Sequence, residues 1–135
     1  MPEPHVTNVS IYYEDTDHSG LVYHANYLKY FERAREHYLG VGHLVRMWEG
    51  DGVGFVVYKC AMQFKKGAVF GDDLEIRTTA RLESEYRVIF DQSVWRADVP
   101  TALVEATIEM VAVNRDNQLV KIPQAVLDRA ADAER

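Results

Sequence analysis

Hydrophobic and polar positions recur along this chain with two different periods. In "LEIRTTARLE" the residues Leu74, Ile76, Thr78, Ala80 and Leu82 alternate with Glu75, Arg77, Thr79, Arg81 and Glu83, the period-two pattern of a strand with one face toward water. "VTNVSIYY", Val6 to Tyr13, is rich in β-branched and aromatic residues and predicts an earlier strand. A strand pattern opens at Phe55. "YRVIFDQSVWRA" and "LVEATIEMVAVNR" predict two more strands around the turn "DVPT", and Val104, Ala106, Ile108, Met110 and Ala112 line one face of the second. Between the first strand and the rest the period changes. Tyr27, Phe31, Ala34 and Tyr38 are spaced by four, three and four residues, one face of a helix that Leu28 and Leu39 widen. Lys29, Glu32, Arg33, Arg35 and Glu36 give that helix a mixed, solvent-compatible remainder, and Gly40 and Gly42 stop it. "WEGDGVG" reads as a flexible connection, since its glycines lack the spacing and context of a nucleotide-binding fingerprint. "RDNQ" makes another turn. Pro123 opens a short terminal helix through Ala131, whose polar second half, "RAADAER", is expected to fray.

This order, a strand, a long helix and about four more strands joined by short turns, predicts an α+β fold with an antiparallel sheet. One helix covers one face of such a sheet. The other face and the edges stay open, so the chain is expected to self-associate, at least as a dimer.

A length of 135 residues predicts one compact domain, 1-135, with room for a core. The chain is 47% hydrophobic and 27% charged, the profile of a soluble globular protein. Its formal charge of −6 argues against nonspecific binding to nucleic acid or anionic lipid. No apolar run reaches the roughly 20 residues of a membrane span. "MPEPHVTNVS" has neither the basic nor the apolar region of a secretion signal, and a cytoplasmic location is expected. The single cysteine, Cys60, supports neither a disulfide within the chain nor a zinc finger, and is expected to be a small buried hydrophobe on a strand.

Candidate chemistry concentrates in "YYEDTDHSGLVYHANYLKYFERARE", Tyr12 to Glu36, where three acids, two histidines and a glycine turn run into the helix. Taken singly, each feature has an ordinary structural meaning. An Asp-x-Asp beside a glycine is a common surface turn, a histidine at a helix start is commonly a cap, and the aromatic stripe is core. The histidines and acids show no pair with the helical spacing of a zinc motif, so no metal is expected.

Taken together, in this order and spacing, the same residues resemble the signature of the acyl-CoA thioesterases of the 4-hydroxybenzoyl-CoA and YbgC-type hotdog family. "FVVYKCAMQFKKGAVFGDDLEIRT" is similar to the family's second characteristic stretch, except that Gly67, preceded by Lys65 and Lys66, stands where relatives commonly have proline. The resemblance implies a hotdog fold, an antiparallel sheet wrapped around one long central helix, and hydrolysis of an acyl-CoA to free acid and coenzyme A. It implies Asp17 as catalytic carboxylate, nucleophile or general base, and an oxyanion-polarising amide at or beside His24. Gly20 then supplies the tight turn, Tyr23 flanks the site, and Asn26 caps the helix or ties the turn down. Coenzyme A is part of the substrate, so no cofactor is implied. A homodimer or homotetramer with interface active sites is implied too, with Lys65, Lys66 or Arg87 meeting the coenzyme A phosphates. Asp15 is expected to be a structural hydrogen-bond acceptor. A noncatalytic hotdog module that binds an acyl carrier or a protein is the alternative, because fold does not fix function. A hydratase would need His and acid placed differently, a pattern not found here.

Overall fold

Antiparallel pairing builds a six-stranded sheet in the computed structural model, which describes residues 3–134 and side chains as far as residue 130. Its strands are β1 (His5–Ser10), β2 (Gly54–Phe64), β3 (Asp73–Leu82), β4 (Arg87–Trp95), β5 (Val104–Val113) and the two-residue β6 (Leu119–Val120). The order across the sheet is β1-β3-β4-β5-β2, and β6 pairs with β5 past Val111, the residue opposite Arg87 where β4 begins. Every pairing is antiparallel. The strands do not simply follow one another, however. β2 pairs with β5 rather than β3, so the chain after Phe64 must cross from one side of the sheet to the other before β3 begins. Residues 65–72 make that crossing and help to build the site.

The long helix α1 (Asn26–Leu39) lies against β1 and β3. Tyr27, Phe31, Ala34 and Tyr38 are buried as their spacing predicts, joined by Tyr30. They meet the inward residues Leu74, Ile76, Val88, Phe90, Val94, Val104 and Ile108 in one core. Burying side chains of this size contributes about 1.5–3 kcal/mol each. Leu28, expected on the buried stripe, is exposed, because the core-facing arc is centred on the Tyr27–Phe31–Ala34 line.

Arg35 departs from expectation more sharply. Helical spacing predicts it on the solvent-compatible face, yet it is 5% exposed. Its Nη1 donates to Gln92 Oε1 (3.0 Å), and Gln92 Nε2 donates to the Phe31 carbonyl (2.9 Å) and to Thr78 Oγ1 (3.0 Å). This polar chain satisfies three buried groups at once, as an interior of low polarity requires.

A second helix, α2 (Val41–Gly50), occupies part of what reads as a flexible connection. Gly40, with φ 93°, turns the corner between α1 and α2. Arg115 Nη2 donates to the carbonyls of Trp48 (2.6 Å) and Glu49 (3.3 Å), satisfying the orphan acceptors of the last turn. The terminal helix α3 (Gln124–Glu134) packs on β3 and is pinned to α1 by Arg129, whose Nε donates to the Tyr38 carbonyl at 3.0 Å. The expected fraying falls largely on 131–135, outside the described side chains.

Cys60 is on a strand as expected but is exposed, because β2 is the edge of the sheet. Val56, Val57, Tyr58 and Phe64 on the same strand are exposed as well.

Candidate functional site

The acidic turn folds as a tight hairpin. Thr16 and Val22 form an antiparallel bridge, Asp17 N–H donates to the Leu21 carbonyl (3.0 Å) and Gly20 N–H to the Asp17 carbonyl (3.0 Å). Gly20 takes φ 85°, a conformation that favours glycine. Asp17 is exposed at this hairpin. Its Oδ1 accepts from the Ser19 hydroxyl (2.5 Å) and the Ser19 amide (2.8 Å). Those two donors hold the carboxyl below the usual carboxylate range, with His24 and His18 adding in the same direction. The carboxylate is therefore ionised at neutral pH.

Asp15 anchors the hairpin to the helix. Its Oδ2 accepts from Tyr12 N–H (2.8 Å), and its Oδ1 from the Tyr30 hydroxyl (2.8 Å) and Asn26 Nδ2 (3.3 Å). Its carbonyl accepts from Tyr23 N–H (2.9 Å). Asn26 thus ties the turn down; the cap position belongs to Ala25, and no side chain caps the helix. Burial, and then the Asp15 carboxylate, push the Tyr30 phenol well above its ordinary range, so it stays a donor.

α1 begins one residue after Ala25, and the Asn26 and Leu28 amides already donate to Tyr23 and Ala25 carbonyls. Among the described residues, no acceptor meets the His24 N–H. This unpaired amide stands at the positive end of the helix dipole, where developing negative charge is stabilised. The His24 ring lies 4.6 Å from the Tyr23 ring and 6.3 Å from that of Phe64.

Asp17 and His24 line one pocket of about 330 Å³, together with Ser19, Leu21, Val22, Tyr27, Phe64, Lys65, Lys66 and Gly67. The crossing segment forms its far wall. Lys65 and Lys66 N–H both donate to the Leu103 carbonyl (2.8 and 3.1 Å), Val22 N–H donates to the Ala68 carbonyl (2.9 Å), and Ala68 N–H donates to the Tyr27 hydroxyl (3.4 Å). Arg96 stiffens the segment by donating from Nη1 to Asp72 Oδ2 (2.8 Å), which also accepts from Val69 N–H (2.9 Å). Lys65 is paired with Glu105 (3.1 Å), whereas among the described residues no carboxylate lies within ion-pair distance of Lys66.

The fold thus gathers Asp17, His24, Lys65 and Lys66, with Gly20 at the hairpin tip and Tyr23 against the His24 ring. Arg87 is elsewhere in the chain, at the start of β4, paired with Glu83 (3.0 Å) and Glu109 (3.6 Å) and stacked over Tyr58. Ser19, Leu21 and Phe64 were not singled out from the sequence. Ser19 carries a local signal, a hydroxyl two residues after an aspartate in a turn; Phe64 carries none, because only the crossing brings the end of β2 to the hairpin.

Residues 12–130 match the thioesterase-like superfamily. The acyl-CoA thioester hydrolase YbgC of Escherichia coli O6:H1 is 36% identical over 107 residues, 78% of this chain and 79% of that protein. The acyl-CoA thioesterase YbgC of Haemophilus influenzae is 34% identical over 108 residues, 78% of each. Among solved structures, a probable thioesterase from Bartonella henselae superposes with TM-score 0.81 at 30% identity, over 89% of this chain and 99% of that one. A 1,4-dihydroxy-2-naphthoyl-CoA thioesterase from Synechocystis reaches TM-score 0.86 over 96% and 97%, and at 22% identity it supports the fold alone. The chain belongs to the thioesterase-like superfamily, as a hotdog-fold thioesterase of the YbgC type.

Proposed function

We propose that this chain, as one domain, hydrolyses acyl-CoA thioesters to free acid and coenzyme A in the cytoplasm, with Asp17 as catalytic carboxylate and the His24 amide as oxyanion donor. The observation that carries this reading is one pocket lined by an ionised, accessible carboxylate and by a helix N-terminus with an unpaired N–H. The YbgC relatives act on acyl-CoA, which supports the substrate class.

The Ser19 hydrogen bonds that lower the Asp17 pKa make its carboxylate a weaker base, which favours direct attack over general-base action, because a weak base gains little from proton abstraction at neutral pH. An Asp17 oxygen adds to the thioester carbonyl, whose oxygen takes up negative charge against the His24 N–H. The C–S bond then breaks, the coenzyme A thiolate leaves and takes a proton from solvent, and an acyl–aspartyl anhydride is left. Water attacks the anhydride, releases the acid and restores the carboxylate. Lys66, which among the described residues has no carboxylate within ion-pair distance, suits a coenzyme A phosphate at the pocket mouth; Lys65 joins it by exchanging Glu105.

The exposed edge of β2, with Val56, Val57, Tyr58 and Phe64 in water, supports pairing with a second copy, in a dimer or in a tetramer built from dimers. Two identical edges meeting antiparallel about a twofold axis bring the Phe64 end of one strand, beside Asp17, to the Gly54 end of the other. The active site then lies at the interface, and Arg87 reaches a pocket only across it.

Thiol release from short, long and aromatic acyl-CoAs, measured for wild type and Asp17→Asn, tests the reading. Turnover is expected to fall by about 10³-fold or more in the variant, as for loss of a catalytic nucleophile. Equal turnover would remove Asp17 from its role. A folded wild type that hydrolyses none of the panel would point to the binding module instead.

A further inference from the structure

The eight glycines of this chain divide by the reason each has no side chain. Gly20, Gly40, Gly52 and Gly71 take φ between 68° and 94°, where a Cβ is strained. Gly67 is not among them, so its backbone does not call for glycine. Space does. A Cβ at position 67 would stand 2.8 and 2.9 Å from the two Cδ atoms of Leu21, well inside the 3.5–4.0 Å of favourable carbon contact. The other glycines of ordinary φ differ: Gly50 has open space, Gly54 meets Trp48 at 3.5 Å, and Gly42 meets only the tip of Arg46 at 3.2 Å. Gly67 is therefore a notch in the crossing segment, and the Leu21 side chain fills it.

Leu21 is also bonded into the turn that holds Asp17. Its carbonyl accepts from Asp17 N–H (3.0 Å), and its own N–H donates to Ser19 Oγ (3.3 Å), the hydroxyl that donates to Asp17 Oδ1. Leu21 and Gly67 both line the pocket that holds Asp17 and His24, and Leu21, 43% exposed, has room to turn.

We infer that Leu21 is the specificity-determining wall of this pocket, held clear of the acyl group by the notch at Gly67. This rests on the reading of the pocket as the acyl-thioester site. A side chain at 67 has two outlets. It turns Leu21 into the mouth, where it obstructs the acyl group and raises KM, or it displaces the hairpin and with it Asp17, which lowers kcat. Shortening Leu21 removes both consequences.

The test compares wild type, Gly67→Ala, Leu21→Ala and the double variant, read as kcat and KM on short, long and aromatic acyl-CoAs. Binding of a non-hydrolysable acyl-CoA thioether is measured in parallel by calorimetry. Gly67→Ala is expected to lower kcat/KM by about tenfold to a hundredfold, the scale of an ångström-level misplacement, and to weaken thioether binding. The double variant is expected to recover to within about threefold of wild type, since the clash is a pairwise effect. Leu21→Ala alone is expected to shift preference toward bulkier acyl groups. Unchanged kcat/KM and unchanged thioether affinity in Gly67→Ala overturn the inference, as does a loss that the double variant fails to restore. Should Gly67→Ala not fold, unaltered acyl preference in Leu21→Ala overturns it alone. A wild type that binds the thioether without hydrolysing acyl-CoA removes the catalytic reading while the notch is still decided by affinity. A wild type that does neither removes both.

Discussion

Replacing Tyr30 by phenylalanine isolates one bond of the hairpin anchor. The phenol is 2% exposed and donates to Asp15 Oδ1 at 2.8 Å. A hydrogen bond to a charged acceptor contributes about 1.5–3 kcal/mol net, and its loss leaves that oxygen with the longer Asn26 contact at 3.3 Å. Unfolding entropy of about 2.1 cal/mol/K per residue over this chain puts the drop in Tm at roughly 5–10 °C. Urea unfolding of wild type, Tyr30→Phe, Asp15→Asn and the double variant measures the effect, and a coupling energy of about 1 kcal/mol or more is expected for residues in direct contact. The same series has a pH signature. Burial, then Asp15, raises the Tyr30 pKa above the ordinary 10.0. A phenol whose folded pKa is raised contributes stability that is fully present below pH 10 and is lost as pH climbs from there toward the folded value. Wild-type stability therefore falls more steeply above pH 10 than that of Tyr30→Phe. kcat is expected to change less than about tenfold, because Asp15 still holds Tyr23 N–H and Val22 N–H still holds Ala68. A stability loss below about 0.5 kcal/mol, the level of an ordinary surface change, or strict additivity with Asp15→Asn, would refute the anchor.

Two further outcomes follow from the proposed site. Lys66→Ala is expected to raise KM for acyl-CoA by about tenfold, with kcat nearly unchanged and the difference shrinking at high salt; Arg87→Ala, measured alongside, leaves KM unaltered if Arg87 has no part in coenzyme A binding. Val57→Glu on the β2 edge is expected to yield particles at the 15.5 kDa of one chain in sedimentation, with helix content kept and hydrolysis lost; full activity in such a monomer would refute an interface site.

Legibility differed from element to element for physical reasons. The alternation in β3 from Leu74 to Ala80 and in β5, and the Tyr27–Phe31–Ala34–Tyr38 line of α1, are legible because burial of one face imposes a period on local sequence, whereas Leu82 and Leu28, at the margins of those faces, are exposed. α2 is not legible locally: Gly40 and Gly52 flank it and Gly42 and Gly50 lie within it, and local propensity at glycine points away from helix, while its support comes from Arg115, far along the chain. The burial of Arg35 is not legible locally, because its partner, Gln92, is 57 residues away. Cys60 was expected inside because a strand in the middle of the chain does not announce that it will be an edge.

Local sequence suffices for the two periods, the α+β class and the dense cluster from Asp15 to Asn26, because each rests on residues close enough in the chain to interact through backbone geometry. The crossing of the sheet between Phe64 and Asp73 emerges from the assembled fold alone. That crossing lays Phe64, the two lysines and the Gly67 notch against the hairpin. A pocket made of segments some fifty residues apart is a property of strand order, and strand order is selected by burial of the whole core, which no local pattern encodes.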